Sequence, residues 1–245
     1  MTPSQRPLAA TSWLAPTTLR RNLERIAAWD LPIHQAALLF YQHAPSLAYA
    51  PSEFHVRGLE THVHLPTDLP WEQGPGPCWD LCARLMDLAA PLAPWAGVLH
   101  PPGDPALLED FAARWRKASP GWRLLVENIP SDGLEAHWPV IEALDLSLCL
   151  DNGHLMAFGQ HHLLQRPGLA RRVELLHCYA PGPEAGRHRH LGLQLLTPEQ
   201  RALLGEILDL LDPNTTILFE VFTEEDLRAS LETFYALDAE RRPRG

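Results

Sequence analysis

Short apolar runs recur along the chain, separated by amphipathic stretches. The runs are 11–14 (TSWL), 34–40 (HQAALLF), 59–65 (LETHVHL), 95–100 (WAGVLH), 123–128 (RLLVEN), 144–151 (LDLSLCLD), 173–179 (VELLHCY) and 216–222 (TILFEVF). Several are apolar at nearly every position, the pattern of strands buried on both faces of a parallel sheet. The intervening stretches read as helices with recognisable starts. Asp104 and Pro105 suit a cap and a first helical residue. Thr197, Pro198 and Gln200 stand in capping-box order, and Thr223 precedes three acidic residues that suit the positive end of a helix dipole. Between Pro16 and Trp29, Leu19, Leu23 and Ile26 fall on one stripe. Eight such strands alternating with helices in 245 residues predict an α/β protein, a (β/α)8 TIM barrel in a single domain over 1–245, with a flexible tail from about 238. The competing architecture is an open doubly wound sheet, but no GxGxxG or GxxxxGK[ST] loop follows the early strands.

Composition narrows the class. A hydrophobic content of 46% is ample for a large core. No run approaches the roughly 20 apolar residues that cross a bilayer, and the first residues carry no export signal, so a cytoplasmic protein without a membrane partner is expected. The four cysteines show no zinc-ribbon spacing; Cys78 and Cys82, four apart, are expected on one buried helix face. A formal net charge of −10 argues against a nucleic-acid partner, because phosphate contacts need lysine and arginine. Two basic clusters stand out. Arg171 and Arg172 read as a solvated face, and GRHRH at 186–190 joins the chemistry below.

The chain has thirteen histidines, and their positions matter more than their number. In a TIM barrel the chemistry lies at the carboxyl ends of the strands. There, His64 and His100 close two successive runs, and Glu127 sits near the end of the next. Asp151 ends its run with His154 one turn on, His177 sits late in its run with His188 and His190 beyond, and Glu220 sits late in the last. Any one of these has an ordinary explanation, such as a helix cap or a satisfied core histidine. Six consecutive strands delivering a histidine or carboxylate to one rim do not, and buried carboxylates are costly without a compensating cation. Histidine with carboxylate and no thiolate suits Zn²⁺, Mn²⁺ or Fe²⁺, with imidazole favouring zinc. One to three divalent ions are expected. Gly153 is expected to keep the DNGH turn compact, letting His154 swing over the rim. The stretch 65–79, rich in proline, glycine and tryptophan, is the best lid segment or else a rigid connector.

The order H…H…ENxP…DxGH…H…HxH…E resembles the xylose-isomerase-like TIM barrels of the apurinic endonuclease family 2 superfamily. The resemblance implies metal ligands at His64, His100, Glu127, Asp151, His154, His177, His190 and Glu220. It departs at 188–190, where HRH replaces Asp-Arg-His. The segments TSWLAPTTLRRNL, THVHLPTDLPW, LCLDNGHLMAFG and LFEVFTEEDLRASL are similar to the CbiR family of cobamide-remodelling hydrolases, through nearly the whole chain. Two acids usual there are absent: Tyr41 follows LLF, and Arg189 precedes the loop histidine. That resemblance implies hydrolysis of the phosphodiester in the nucleotide loop of an adenosylated cobamide, a small-molecule substrate. Glu127, Asp151, His177 and Glu220 would hold the principal metal, with Glu127, Glu220 and His154 as the catalytic set. His62, His188, Arg187 and Arg189 are the expected substrate contacts. The same Glu/Asp/His/Glu core also fits a sugar or sugar-phosphate isomerase or epimerase, which has less use for the extra histidines. Cleavage at apurinic sites in DNA is disfavoured by charge, and a non-catalytic barrel would predict a decayed rim.

Overall fold

The structure, a computed structural model, describes residues 6–118 and 121–241. Eight parallel strands form a closed barrel in chain order: β1 (Leu8–Thr11), β2 (Gln35–Leu39), β3 (Glu60–His64), β4 (Ala96–Leu99), β5 (Arg123–Glu127), β6 (Ser147–Asp151), β7 (Val173–Cys178) and β8 (Thr216–Phe219). The helices α1 (Leu19–Ala27), α2 (His43–Leu47), α3 (Pro75–Ala89), α4 (Pro105–Ala118), α5 (Trp138–Ala143), α6 (Asn152–Ala157), α7 (Pro198–Leu210) and α8 (Glu224–Arg241) follow the strands in turn. β8 closes on β1, with Leu8 opposite Ile217. The expected (β/α)8 TIM barrel is the observed fold.

The local chemistry accounts for the helix starts. Asp104 Oδ1 accepts from the Ala106 N–H at 2.9 Å. Thr197 and Gln200 exchange the two bonds of a capping box. Leu19, Leu23 and Ile26 are all buried on α1, and Cys78 and Cys82 share the buried face of α3. All four cysteines are free and buried. No helix of the described residues is long and apolar enough to cross a membrane.

Three expectations need correction. The first strand lies at Leu8–Thr11 and not at 11–14. Its Leu-Ala-Ala-Thr sequence has small alanines at its centre, and Ala9 packs inside the barrel in one apolar cluster with Ala37; Ser12 and Trp13 begin the loop that follows. Helix α8 continues through 238–241, the start of the expected tail, and residues 242–245 lie outside the described residues. Arg172 is buried, not solvated: its guanidinium donates to Asp145 Oδ1 at 2.8 Å and to the Leu146 carbonyl at 3.2 Å.

A two-residue pleat positions the rim. Val98, Leu125, Cys149, Leu175 and Leu218 belong to one apolar cluster inside the barrel. His100, Glu127, Asp151, His177 and Glu220 each lie two residues further on, so the alternation that turns the first set inward turns the second set inward one layer higher. Residues between them, such as Val126, Leu176 and Phe219, belong to the outer core under the helices.

On that outer side, Gly97 of β4 meets Trp115 of α4. A Cβ there would come within 2.5 Å of the indole. The indole is held in place by contacts with Phe111, Trp79 and Trp122 and by its Nε1–H, which donates to the Trp122 carbonyl at 3.0 Å. Overpacking of this kind costs about 1–3 kcal/mol. We expect Gly97→Ala to lower the unfolding free energy by that amount, seen as a lower urea midpoint at an unchanged slope; an unchanged midpoint would show that the indole shifts freely.

Candidate metal centre

Asp151 ends β6 and begins α6, and its two carboxylate oxygens do different things. Oδ1 accepts from the His154 N–H at 2.7 Å, the helix-cap bond. Oδ2 has no hydrogen-bond partner and lies 3.7 Å from His177 Nδ1, with the whole residue buried. Cap and ligand are therefore compatible in one residue. Asn128, in the turn after β5, fixes this strand end: its Oδ1 accepts from the Asp151 N–H at 2.7 Å, and its Nδ2 donates to the Asp151 carbonyl at 3.0 Å.

Glu127 occupies the middle of the rim and is buried. One oxygen, Oε2, is 3.1 Å from His64 Nε2 and 3.2 Å from His100 Nε2. The other, Oε1, is 3.1 Å from His177 Nδ1, which is also 3.1 Å from Glu220 Oε2. His177 makes no properly aligned hydrogen bond through either ring nitrogen. Donor atoms thus converge end-on, as ligands do around a cation.

Two histidines are held in the form a metal needs. The His64 Nδ1–H donates to the Leu65 carbonyl at 2.8 Å, and the His154 Nδ1–H donates to the Asn128 carbonyl at 2.9 Å. In the neutral ring each such bond leaves the Nε2 lone pair free for ligation. Among the described residues, four groups have ligand atoms within 4.8 Å of one another: His64–His177–Glu220, His64–His100–Glu127, Glu127–Cys149–His177 and Glu127–Asp151–His154. These residues fit divalent metal, and Glu127 belongs to three of the four groups.

The electrostatics of the bare ligand set agree. Burial alone would raise Glu127 and Glu220, yet neighbouring His177, with His100 for the first and His190 for the second, holds both carboxyls well below their usual range. Burial opposes protonation of His177, and the carboxylates of Glu220 and Glu127 raise it well above an ordinary imidazole. Burial, chiefly, pushes the Cys149 thiol up to about 12, so it stands protonated beneath the carboxylates.

Of the expected site residues, His64, His100, Glu127, Asp151, His154, His188, His190 and Glu220 line one cavity of about 370 Å³, and His177 lies directly beneath them. His154 Nε2 faces His188 Nε2 at 3.3 Å, and His190 Nε2 is 3.5 Å from Glu220 Oε2. Three expected contacts are not brought in. His62 also points into the barrel, but one layer below His64; it is buried against Trp95 with neither ring nitrogen paired, and burial, then His177 and His64, lowers it to about 3. Arg187 and Arg189 are exposed and line no part of the cavity; Arg187 pairs with Glu184 at 3.1 Å. Alternation along this loop turns 188 and 190 inward and 187 and 189 outward. The 65–79 stretch is tied down: Leu65 and Leu69 are buried, Thr67 donates to the Tyr41 carbonyl, Trp71 packs on Phe111, and Pro75 opens α3.

Tyr179, Trp13, Tyr41 and Phe222 belong to the site but carry no metal-ligand signature in sequence. Trp13, Tyr41 and Phe222 are exposed at the cavity mouth. Tyr179 is buried, with its ring 4.2 Å from that of His190. It also explains Gly153, whose backbone is ordinary helix and not the special turn expected. A Cβ at 153 would fall 2.1 Å from the Tyr179 ring, so the glycine makes room for the tyrosine.

No family model and no curated protein matches the chain. Solved structures do resemble it. The crystal structure of AsfvAP:AG is 13% identical at a TM-score of 0.65, over 97% of this chain and 99% of that one. A xylose isomerase-like TIM barrel protein from Mycobacterium smegmatis, in complex with magnesium, is 15% identical at a TM-score of 0.60, over 97% and 98%. Active domain 2 of a chitinase from Pyrococcus furiosus is 9% identical at a TM-score of 0.56, over 97% and 96%. At such identities the likeness is one of fold, and its breadth leaves the reaction to be argued from the site.

Replacing Gly153 by alanine should displace Tyr179 from the rim, lowering both stability, by about 1–3 kcal/mol, and metal content. Combining it with Tyr179→Leu should recover much of the stability. Equal loss in single and double variants, read by chemical denaturation, would rule out the steric coupling.

Proposed function

We propose that this protein is a metal-dependent hydrolase that cleaves the phosphodiester in the nucleotide loop of an adenosylated cobamide. The observation that carries the hydrolytic half of this reading is Glu127, whose two oxygens face two separate imidazole groups, His64 with His100 on one side and His177 on the other. A carboxylate shared in this way suits two neighbouring ions, the arrangement that serves phosphoryl transfer. The family motifs quoted above support the cobamide half.

On this reading Glu127, Asp151, His177 and Glu220 hold the principal ion, and His64 and His100 complete a second position through Glu127. Bound divalent ions supply Lewis acidity, which lets water attack a phosphodiester near neutral pH and offsets the charge gathering on the phosphoryl oxygens. The chain does the positioning. Asn128 fixes Asp151 and His154 from one turn, so the ligands need no rearrangement when substrate arrives. His188 and His190 line the open side of the cavity, where imidazole N–H groups can donate to a phosphate. Water's oxygen joins phosphorus and the bond to the cobinamide oxygen breaks, releasing cobinamide and the lower-ligand riboside phosphate.

The competing reading is an isomerase or epimerase, favoured by the fact that the Glu127, Asp151, His177 and Glu220 core alone serves a one-metal enolisation equally well. A nucleic-acid substrate is disfavoured, since Arg187 and Arg189 point away from the cavity and the net charge is −10.

Purified protein should carry at least one transition metal per chain by elemental analysis, and active metal-free protein would refute the metal role. Incubation with adenosylcobamide should yield cobinamide and a riboside phosphate by chromatography, and Glu220→Gln should yield neither while keeping its circular dichroism. Intact corrinoid beside an epimerised ketose would transfer the reading to the isomerase.

A further inference from the structure

Three consecutive residues, where β6 runs into α6, converge on Tyr179 just beyond β7. Asn152 Oδ1 accepts from the Tyr179 N–H at 3.1 Å, which fixes the backbone. Gly153 makes room for the side chain: a Cβ there would stand 2.5 Å from the phenol oxygen, so that oxygen lies over the first turn of α6. Asp151 caps the same turn and is the carboxylate that acts most strongly on the phenol, ahead of Glu220 and Glu127. The ring is also packed against His190, 4.2 Å away between centres.

This placement leaves two polar atoms unmatched. The Tyr179 hydroxyl is buried and makes no aligned hydrogen bond, and neither does Asp151 Oδ2. One is an O–H donor and the other an anionic acceptor. A buried hydroxyl without a partner is costly, and phenylalanine would fill the space over Gly153 without that cost. The oxygen therefore has a use. Burial first, and then the neighbouring carboxylates, raise the phenol well above its ordinary value, so it keeps its proton and remains a donor. Since Oδ1 of Asp151 is committed to the His154 N–H, only Oδ2 is left to face an ion, and a carboxylate oxygen has lone pairs enough for an ion and a donor together. From these contacts we infer that Tyr179 is a positioning residue for the metal centre: its O–H donates to Asp151 Oδ2 and so sets the orientation of that ligand. Hydrogen bonds of this kind to a ligating carboxylate tune how tightly an ion is held. The inference rests on the metal reading of the rim and is independent of which reaction the metal serves.

The test is the resistance of metal-loaded protein to rising EDTA, with retained metal read by elemental analysis, in wild type, Tyr179→Phe and Tyr235→Phe. Tyr179→Phe removes one oxygen and keeps the ring. Tyr235, on α8 against the outer core, has a similarly buried and unpaired hydroxyl and serves as the control. Tyr179→Phe should release metal at about 10- to 100-fold lower EDTA, with unchanged circular dichroism and an altered visible spectrum when loaded with Co²⁺, while Tyr235→Phe should match wild type. Equal retention in Tyr179→Phe and wild type, or an unaltered Co²⁺ spectrum, overturns the positioning role and leaves the metal centre standing. Equal loss in the two tyrosine variants overturns it as well, as the general cost of a missing hydroxyl. Should Tyr179→Phe not fold, Asn152→Ala loosens the same residue from its backbone side, and full retention there overturns the role. Wild type that holds no metal overturns the centre and the inference together.

Discussion

Glu127 lies buried at the floor of the metal cavity, with imidazoles on both sides of its carboxylate. A charge in that position is tolerated only because positive partners surround it, whether protonated histidines or metal. Much of the rim follows from that requirement. His64, His100 and His177 approach the two oxygens from three strands, and Glu220 completes the far side of His177. Removing the carboxylate would leave buried His64 and His177 and part-buried His100 with no common partner, which is why the rim works as a unit and not as a set of separable side chains.

The pleat makes this concentration of charge affordable to the fold. Each strand from β4 to β8 seals the barrel with one apolar residue and then, two positions later, presents a ligand, so the polar layer rests on a dry floor. Strand β3 breaks the pattern: two positions before His64 it carries His62, opposite Ala37 of β2, and not an apolar residue. That imidazole is held neutral by burial and costs the floor two unsatisfied nitrogens.

Much of this was legible in the residues. Strand ends carrying histidine or carboxylate, read against a barrel, were enough to assemble the rim, because the pleat converts position along a strand into depth in the barrel. Depth is also where the reading failed: His62 and His64 have the same inward direction, and only the length of β3 separates floor from rim. Arg187 and Arg189 failed for a related reason, since a charge suited to phosphate says nothing about which side of a loop it faces. The first strand was misplaced because alanine, which fills its centre, is a weak strand former. Tyr179 acts through steric fit and an unpaired hydroxyl, which depend on neighbours distant in sequence.

The contact between Gly153 and Tyr179 has a historical side. The hydrogen of one residue and the ring of the other fill a single space, so their alphabets are linked between helix α6 and the loop after β7. A lineage that gains a side chain at 153 must already have a smaller residue at 179, while the reverse order is blocked. Related barrels that arrange this rim differently should therefore differ at both positions together, with the change at 179 the older of the two.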